Sequence, residues 1–255
     1  MKPFLFLLVL LSLPQTFFSQ PKPIAFTGAT IYPVSSPPIQ NGTLLIQNGK
    51  ILAVGNSIAI PSDATRIDAS GKIITAGFVD THSHIGGGDG GDASAPIHPS
   101  VRILDAIDVR NDTFKKALAG GITTVNVMPG SGHLLSGQTV YLKLRNANTV
   151  SQMLFCNDET KEICGGIKMA NGTNPMRGGV FPGTRAKSAA MIRSIFIKAQ
   201  DYQKKLKEAA GNPDKLPKRD LELEALVEVL EGKRIVQHHT HRADDILTVL
   251  RIAKE

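Results

Sequence analysis

Cysteine is nearly absent from this chain: among 255 residues there are two, Cys156 and Cys164. Their spacing around Asn157–Glu162 fits no standard zinc pattern. In an exported protein the pair would close a small disulfide loop, and in a cytosolic one it would be two reduced thiols; the sequence leaves both open. Apolar runs of membrane-spanning length are missing as well. Phe4 to Leu11, behind Lys2, is a core of eight apolar residues, which matches a secretory h-region and falls short of the ~20 needed to cross a bilayer. Residues 1–20 therefore read as a signal peptide. Phe17-Phe18-Ser19-Gln20 is not an A-x-A cleavage site, so an uncleaved anchor is the alternative. No cysteine lies near this segment, which argues against a lipid-anchored form. The expectation is a periplasmic or secreted protein with no membrane association beyond export.

Aromatic residues are scarce where the positive charge gathers. The chain holds 29 Lys and Arg against 22 Asp and Glu, a formal charge of +7, which becomes +6 when Lys2 leaves with residues 1–20. The excess lies in Lys198 to Arg219, where seven cations alternate with acids and polar residues and Tyr202 is the only aromatic. A base-stacking nucleic-acid surface is not supported, and a solvated helix and loop accounts for the pattern. There is no internal repeat beyond a βα periodicity, and no low-complexity tract outside Ile85–Gly91. With 42% hydrophobic and 20% charged residues, the composition is that of an ordinary globular chain, one large domain or one with a small partner.

Between Pro23 and Ala69, short apolar strands alternate with turns, and Asn48-Gly49 is a hairpin signal because a type I′ turn needs positive φ at both central residues. Residues 21–71 read as the N-terminal part of a β-sandwich. After Lys72, strands separated by helical stretches predict βαβ units. Strands are expected to end at His84, to run from Gly121 to Met128, Val150 to Phe155, Gly166 to Ala170 and Arg234 to His239. Helices are expected over Asp105–Ala119, Ala186–Ala209, Leu221–Leu230 and Asp244–Glu255.

The most informative stretch is Asp80-Thr81-His82-Ser83-His84, at the end of the apolar run Ile73–Val79. Histidines at i and i+2 of a strand project from one face and can grip one cation. A pair of loop histidines without a ligand is the plainer reading. Gly77-Phe78-Val79-Asp80-Thr81-His82-Ser83-His84 resembles the metal-binding signature of the amidohydrolase superfamily, with Ala76 where that family carries proline. The resemblance continues through Ile122–Val125, Gly166–Ala170 and His239–Ile246, and is closest to the imidazolonepropionase-like and prolidase-like branch.

That resemblance implies an α/β fold with a (β/α)8 TIM-type barrel. From Lys72 to Glu255 there are 184 residues, fewer than the ~250 of a complete barrel. Residues 72–255 are thus expected to be the first five βα units of a truncated barrel, and the chain an N-terminal fragment. The sandwich would be completed by strands from the far C-terminus. The resemblance also implies one or two divalent metal ions, zinc first, held by His82, His84 and His239, with Lys168 carboxylated and bridging. From the residues alone, Lys168 would be an edge charge snorkelling to solvent. The family's strand-six histidine and strand-eight aspartate, the general base, would fall beyond residue 255.

His238 is expected to face away from His239, and His98 to be an ordinary surface or loop residue. Substrate contacts are expected from His241, His133 and Gln138; Asp89, Arg102 and Arg177 also stand in loops of no diagnostic pattern. The expected activity is metal-dependent hydrolysis of a C–N bond in an amide, a cyclic amide or a peptide-like small molecule, by metal-activated water. A deaminase shares the same strand motif. The alternative of another class is a truncated, non-catalytic product retaining a partial metal site.

Overall fold

A computed structural model of the chain describes residues 21–88 and 90–255. The expected signal peptide, residues 1–20, and Asp89 lie outside the described residues. The chain divides after Ala76 into two units. No helix among the described residues is long and apolar enough to cross a membrane.

The first unit is one mixed sheet of β1 (Ile24–Tyr32), β2 (Ile39–Gln47), β3 (Lys50–Gly55), β4 (Thr65–Asp68) and β5 (Ile73–Thr75). Its order is β3-β2-β1-β4, and β5 also pairs with β1. β1 to β3 are an antiparallel meander, while β4 and β5 lie parallel to successive halves of β1. Asn48 and Gly49 turn the chain between β2 and β3 with φ of 52° and 70°, as a type I′ turn demands. Ala29, Ile31 and Ala69 form its buried core, packed by Phe26, Ile39, Leu44 and Ile74. The described residues of this unit supply one sheet, so a sandwich would need its second layer from elsewhere.

The second unit holds β6 (Phe78–Ser83), β7 (Ile122–Val127), β8 (Leu135–Gln138), β9 (Val140–Lys143), β10 (Ile167–Ala170) and β11 (Val236–His239). Its helices are α1 (Asp112–Ala119), α2 (Arg185–Ala209), α3 (Leu221–Leu230) and α4 (Ala243–Lys254). Two three-stranded sheets have the orders β6-β7-β9 and β11-β10-β8. β6 is parallel to β7 and β10 to β11, but β9 is antiparallel to β7 and β8 to β10. β8 and β9 are one extended run interrupted at Thr139, which passes from one sheet to the other. β7 and β10 are both antiparallel to that run, so β6, β7, β10 and β11 all point the same way.

This run corrects the expected strand over Val150–Phe155. Val150–Met153 is instead a 3-10 turn, and strand pairing with β9 is limited to the single bridge between Leu142 and Leu154. The competing force is local: the Gln152 side-chain oxygen accepts from the backbone N–H of Asn148 (2.7 Å) and Thr149 (3.2 Å), a capping arrangement that offsets the strand preference of an apolar segment. The helix expected from Asp105 is split likewise. Ile103–Ala106 is a 3-10 turn, and α1 starts only where Asn111 accepts from the Thr113 N–H at 3.0 Å. Val125, Val127, Leu142, Met153, Phe114 and Ile103 make one core. Leu135, Ile167, Met169, Ile192, Ala199 and Leu226 make a second, between β8, β10, α2 and α3.

Candidate metal centre

Alternation along β6 buries Ser83 and leaves His82 and His84 open on either side of it. Their rings meet edge to face with centroids 5.1 Å apart. Nδ1 of His84 lies 2.8 Å from the carbonyl oxygen of Met128, just past β7. A carbonyl only accepts, so Nδ1 carries the hydrogen and Nε2 keeps its lone pair, the arrangement that prepares a histidine to ligate. Asp80 turns back on its own strand, where Oδ1 accepts from the His82 backbone N–H at 3.1 Å.

Every residue of β10 is buried, Lys168 among them with 1% of its surface exposed. Its amine does not snorkel. Nζ lies 3.0 Å from Nε2 of His82 and 3.3 Å from Sδ of Met128, and Lys168 forms no ion pair among the described residues. Burial pushes the amine down to about 8. Burial is also the first reason that His82 sits below its ordinary range, with Lys168, His84 and His239 adding to the effect.

The parallel register of β10 and β11 sets Lys168 beside Gln237, Met169 beside His238 and Ala170 beside His239. His239 therefore shares a face with Lys168, and His238 goes with Met169 into the crevice beneath α2 and α4. There, burial pushes His238 down to about 4. Nε2 of His239 is 3.1 Å from Nε2 of His241, and Asn174 touches both, at 3.3 Å and 2.9 Å. Burial and then His241 hold His239 low.

Asp80, His82, Asn126, Tyr141, Lys168 and His239 line one pocket of about 590 Å³. Of the residues singled out from the sequence, His82, Lys168 and His239 meet here, with His84 beside the first and His241 beside the last. His133 and Gln138 are not among its lining. His133 is buried between Phe181 and His98, and the Gln138 amide donates to the Pro99 carbonyl at 3.0 Å. Arg102 pairs with Asp105 at 2.9 Å. Sequence reading missed Asn126, Tyr141 and Asn174. Tyr141 was hidden because β9 was unrecognised, and Asn174-Pro175 gave only a turn signal.

The donor set is imidazole with one amine. Among the described residues no three His, Cys, Asp or Glu side chains converge closely enough to hold a cation, so Lys168 is what joins the His82–His84 pair to His239. All three imidazoles and a neutral amine offer nitrogen lone pairs, which suits zinc and its neighbours, but the set lacks negative charge.

No family model matches the chain. Among curated proteins it is 27% identical over 237 residues to an amidohydrolase of Hapsidospora irregularis, covering 80% of this chain and 24% of that protein. It is 35% identical over 102 residues to an enamidase of Eubacterium barkeri, covering 39% of this chain and 22% of the relative. Among solved structures, an amidohydrolase from Thermotoga maritima MSB8 matches with a TM-score of 0.80 at 37% identity, over 91% of this chain and 61% of that one. The chain thus spans about a quarter of these curated relatives and about three fifths of the solved neighbour.

Proposed function

We propose, from its likeness to amidohydrolases, that the chain is a member of the amidohydrolase superfamily and carries the N-terminal part of a metal-dependent hydrolase site that opens a C–N bond of a small or peptide-like amide. The observation that carries this reading is the buried Lys168 amine, 3.0 Å from His82 on the pocket that also receives His239. A lysine of purely structural use would not be kept 1% exposed without an acid, because an unpaired buried charge is costly.

His82, His84 and His239 would hold one or two divalent ions, zinc first, with Lys168 joining them. A bound ion lowers the pKa of its water from 15.7 towards ~7 and polarises the substrate carbonyl. An amine held near 8 is partly neutral at pH 7. The neutral Nζ would add to carbon dioxide: an N–C bond forms as one C=O π bond breaks, one proton leaves Nζ to solvent, and Lys168 becomes a carbamate whose single negative charge is shared by two oxygens. That is the negative charge the nitrogen set lacks. The His84 Nδ1–H···O=C bond to Met128 fixes the ring, and Asn174 orients His239.

We propose further that β6, β7, β10 and β11 belong to the wall of a barrel, with ligands gathered toward the C-terminal ends of its strands. The first unit would be part of a sandwich. Residues 1–20 would direct export to the periplasm or medium, a reading favoured by the bond joining Cys156 and Cys164, since disulfides persist in oxidising compartments.

One observation favours the second reading, a chain that binds metal without turnover. Asp80 supplies the only carboxylate among the pocket's described lining residues, and it is engaged by the His82 backbone. Metal content and amidase activity measured on the same purified chain separate the two. Metal with turnover supports the enzyme, metal without turnover the partial site, and neither overturns both.

A further inference from the structure

Strands β6 and β7 are out of step at the histidines. Between the pairs Asp80–Val125 and Ser83–Val127, the pairing advances three residues along β6 for two along β7, so that Thr81 and His82 together stand opposite Asn126. A bulge of this kind bends the strand, interrupts its ladder and re-aims a side chain. Two side chains stand in for the interrupted ladder. Asn126 donates from Nδ2 to the Thr81 carbonyl at 3.3 Å, and Asp80 Oδ1 accepts from the His82 N–H at 3.1 Å. Just beyond the bulge the ladder resumes, with the Met128 N–H donating to the Ser83 carbonyl at 2.9 Å.

Two arguments give this bulge a purpose. The first is the identity of Asn126. Its neighbours Val125 and Val127 are buried in an apolar core, whereas Asn126, 6% exposed, lines the pocket. Its Oδ1 is buried with no hydrogen-bond partner among the described residues. Asparagine is depleted in strands, and a buried acceptor left unpaired costs about 1–3 kcal/mol. A valine would serve the strand better, so the use of the amide lies in what Nδ2 holds. The second argument is the place of the bulge. The residue it turns is His82, whose Nε2 is 3.0 Å from the Lys168 amine, and Met128, where the ladder resumes, touches both Lys168 and His84.

We propose that Asn126 and Asp80 are positioning residues for the metal centre: they hold the bulge, and the bulge aims His82 at Lys168. Asp80 acts here through its accepting oxygen and not through its charge. The inference rests on the hydrolase reading for the ion that His82 would ligate. The aim of the ring is a property of the metal-free chain.

The test uses the full chain. In the metal-free protein, the nuclear Overhauser contact between the His82 ring protons and the Lys168 ε-methylene reports the aim; cobalt(II), followed by its visible absorption, is the probe of the site. The contact is expected in the parent, lost in Asn126→Ala and Asp80→Ala, and kept in Asp80→Asn, which retains the accepting oxygen without the charge. Cobalt should bind Asn126→Ala, in which no charge has changed, about tenfold or more weakly than the parent and with an altered band. A contact that is missing from the parent, that persists in both alanine variants, or that is lost in Asp80→Asn overturns the positioning. So does equal cobalt affinity in the parent and Asn126→Ala. If Asn126→Ala lacks the parent's melting transition, Asp80→Ala against Asp80→Asn decides, because these two differ in the hydrogen bond and not in charge. A parent that keeps the ring contact and binds no cobalt defeats the hydrolase reading alone and leaves the positioning standing.

Discussion

Lys168 is the residue on which stability and chemistry pull in opposite directions. Its amine is buried without an acid, so replacing it with the similarly shaped Met removes a desolvated polar group. In the metal-free chain, Lys168→Met should be neutral or stabilising by about 1–3 kcal/mol, read from urea midpoints. The same change should remove most of the bound second metal, and Lys168→Ala should do so as well, measured by elemental analysis; full stoichiometry in both variants would end the bridging role. The His-x-His pair was legible in the sequence because i, i+2 spacing needs only the pleat of one strand. Lys168 was not legible from its own residues, since Ile-Lys-Met-Ala on an edge strand would place the amine in water, and its burial depends on β8 and β11 pairing on both sides. Asn126 was still harder to read. Its place depends on the register of β6 against β7, which sequence pattern does not show.

At the scale of elements, the parallel strands were readable because apolar runs alternated with helical periodicity, and α2, α3 and α4 lie within a residue or so of their expected limits. The run Leu135–Lys143 escaped because Gly137, with φ +126°, dilutes its pattern. The seam where this run meets β10 is tight. A Cβ on Gly165 would fall on the Thr139 backbone, so Gly165→Ala should cost about 2–3 kcal/mol or more, seen as a lowered melting temperature; an unchanged Tm would mean that the seam is looser. Beside it, Cys156 and Cys164 close a loop of about nine residues, for which chain entropy gives roughly 2.5 kcal/mol. Reduction, or a double change to Ser, should lower the denaturation midpoint accordingly. Between α2 and α3, Glu224 accepts from Arg219 at 2.8 and 2.7 Å and lies 3.4 Å from the Tyr202 hydroxyl. The Arg219 bonds hold its carboxyl below the ordinary carboxylate range. A depressed acid contributes stability above its unfolded pKa and loses it as pH falls through the folded one. Glu224→Gln should therefore melt below the parent at pH 7 and level with it near pH 3, by calorimetry.

For the molecule as a whole, β6 and β11 each keep one edge without a partner strand among the described residues, at the outer ends of the two sheets of the second unit. Both edges are apolar. Phe78, Val79 and Ile235 are each more than three fifths exposed, and Leu247 on α4 is as open. Unpaired N–H and C=O groups beside exposed apolar side chains make a template for another strand. The change from hairpin turns to βα spacing was legible in the sequence. What lies against these edges was not, because an edge residue and an interior one carry the same apolar letters. The 255-residue chain is therefore expected to self-associate at micromolar concentration, with an apparent mass that rises with concentration in light scattering after gel filtration. A lysine at either edge opposes pairing by charge and solvation, so Val79→Lys combined with Ile235→Lys should return the chain to a monomer. If the parent is already monomeric at every concentration, the two edges are shielded in solution. If the double variant still associates, another surface, such as the apolar side of α4, carries the contact.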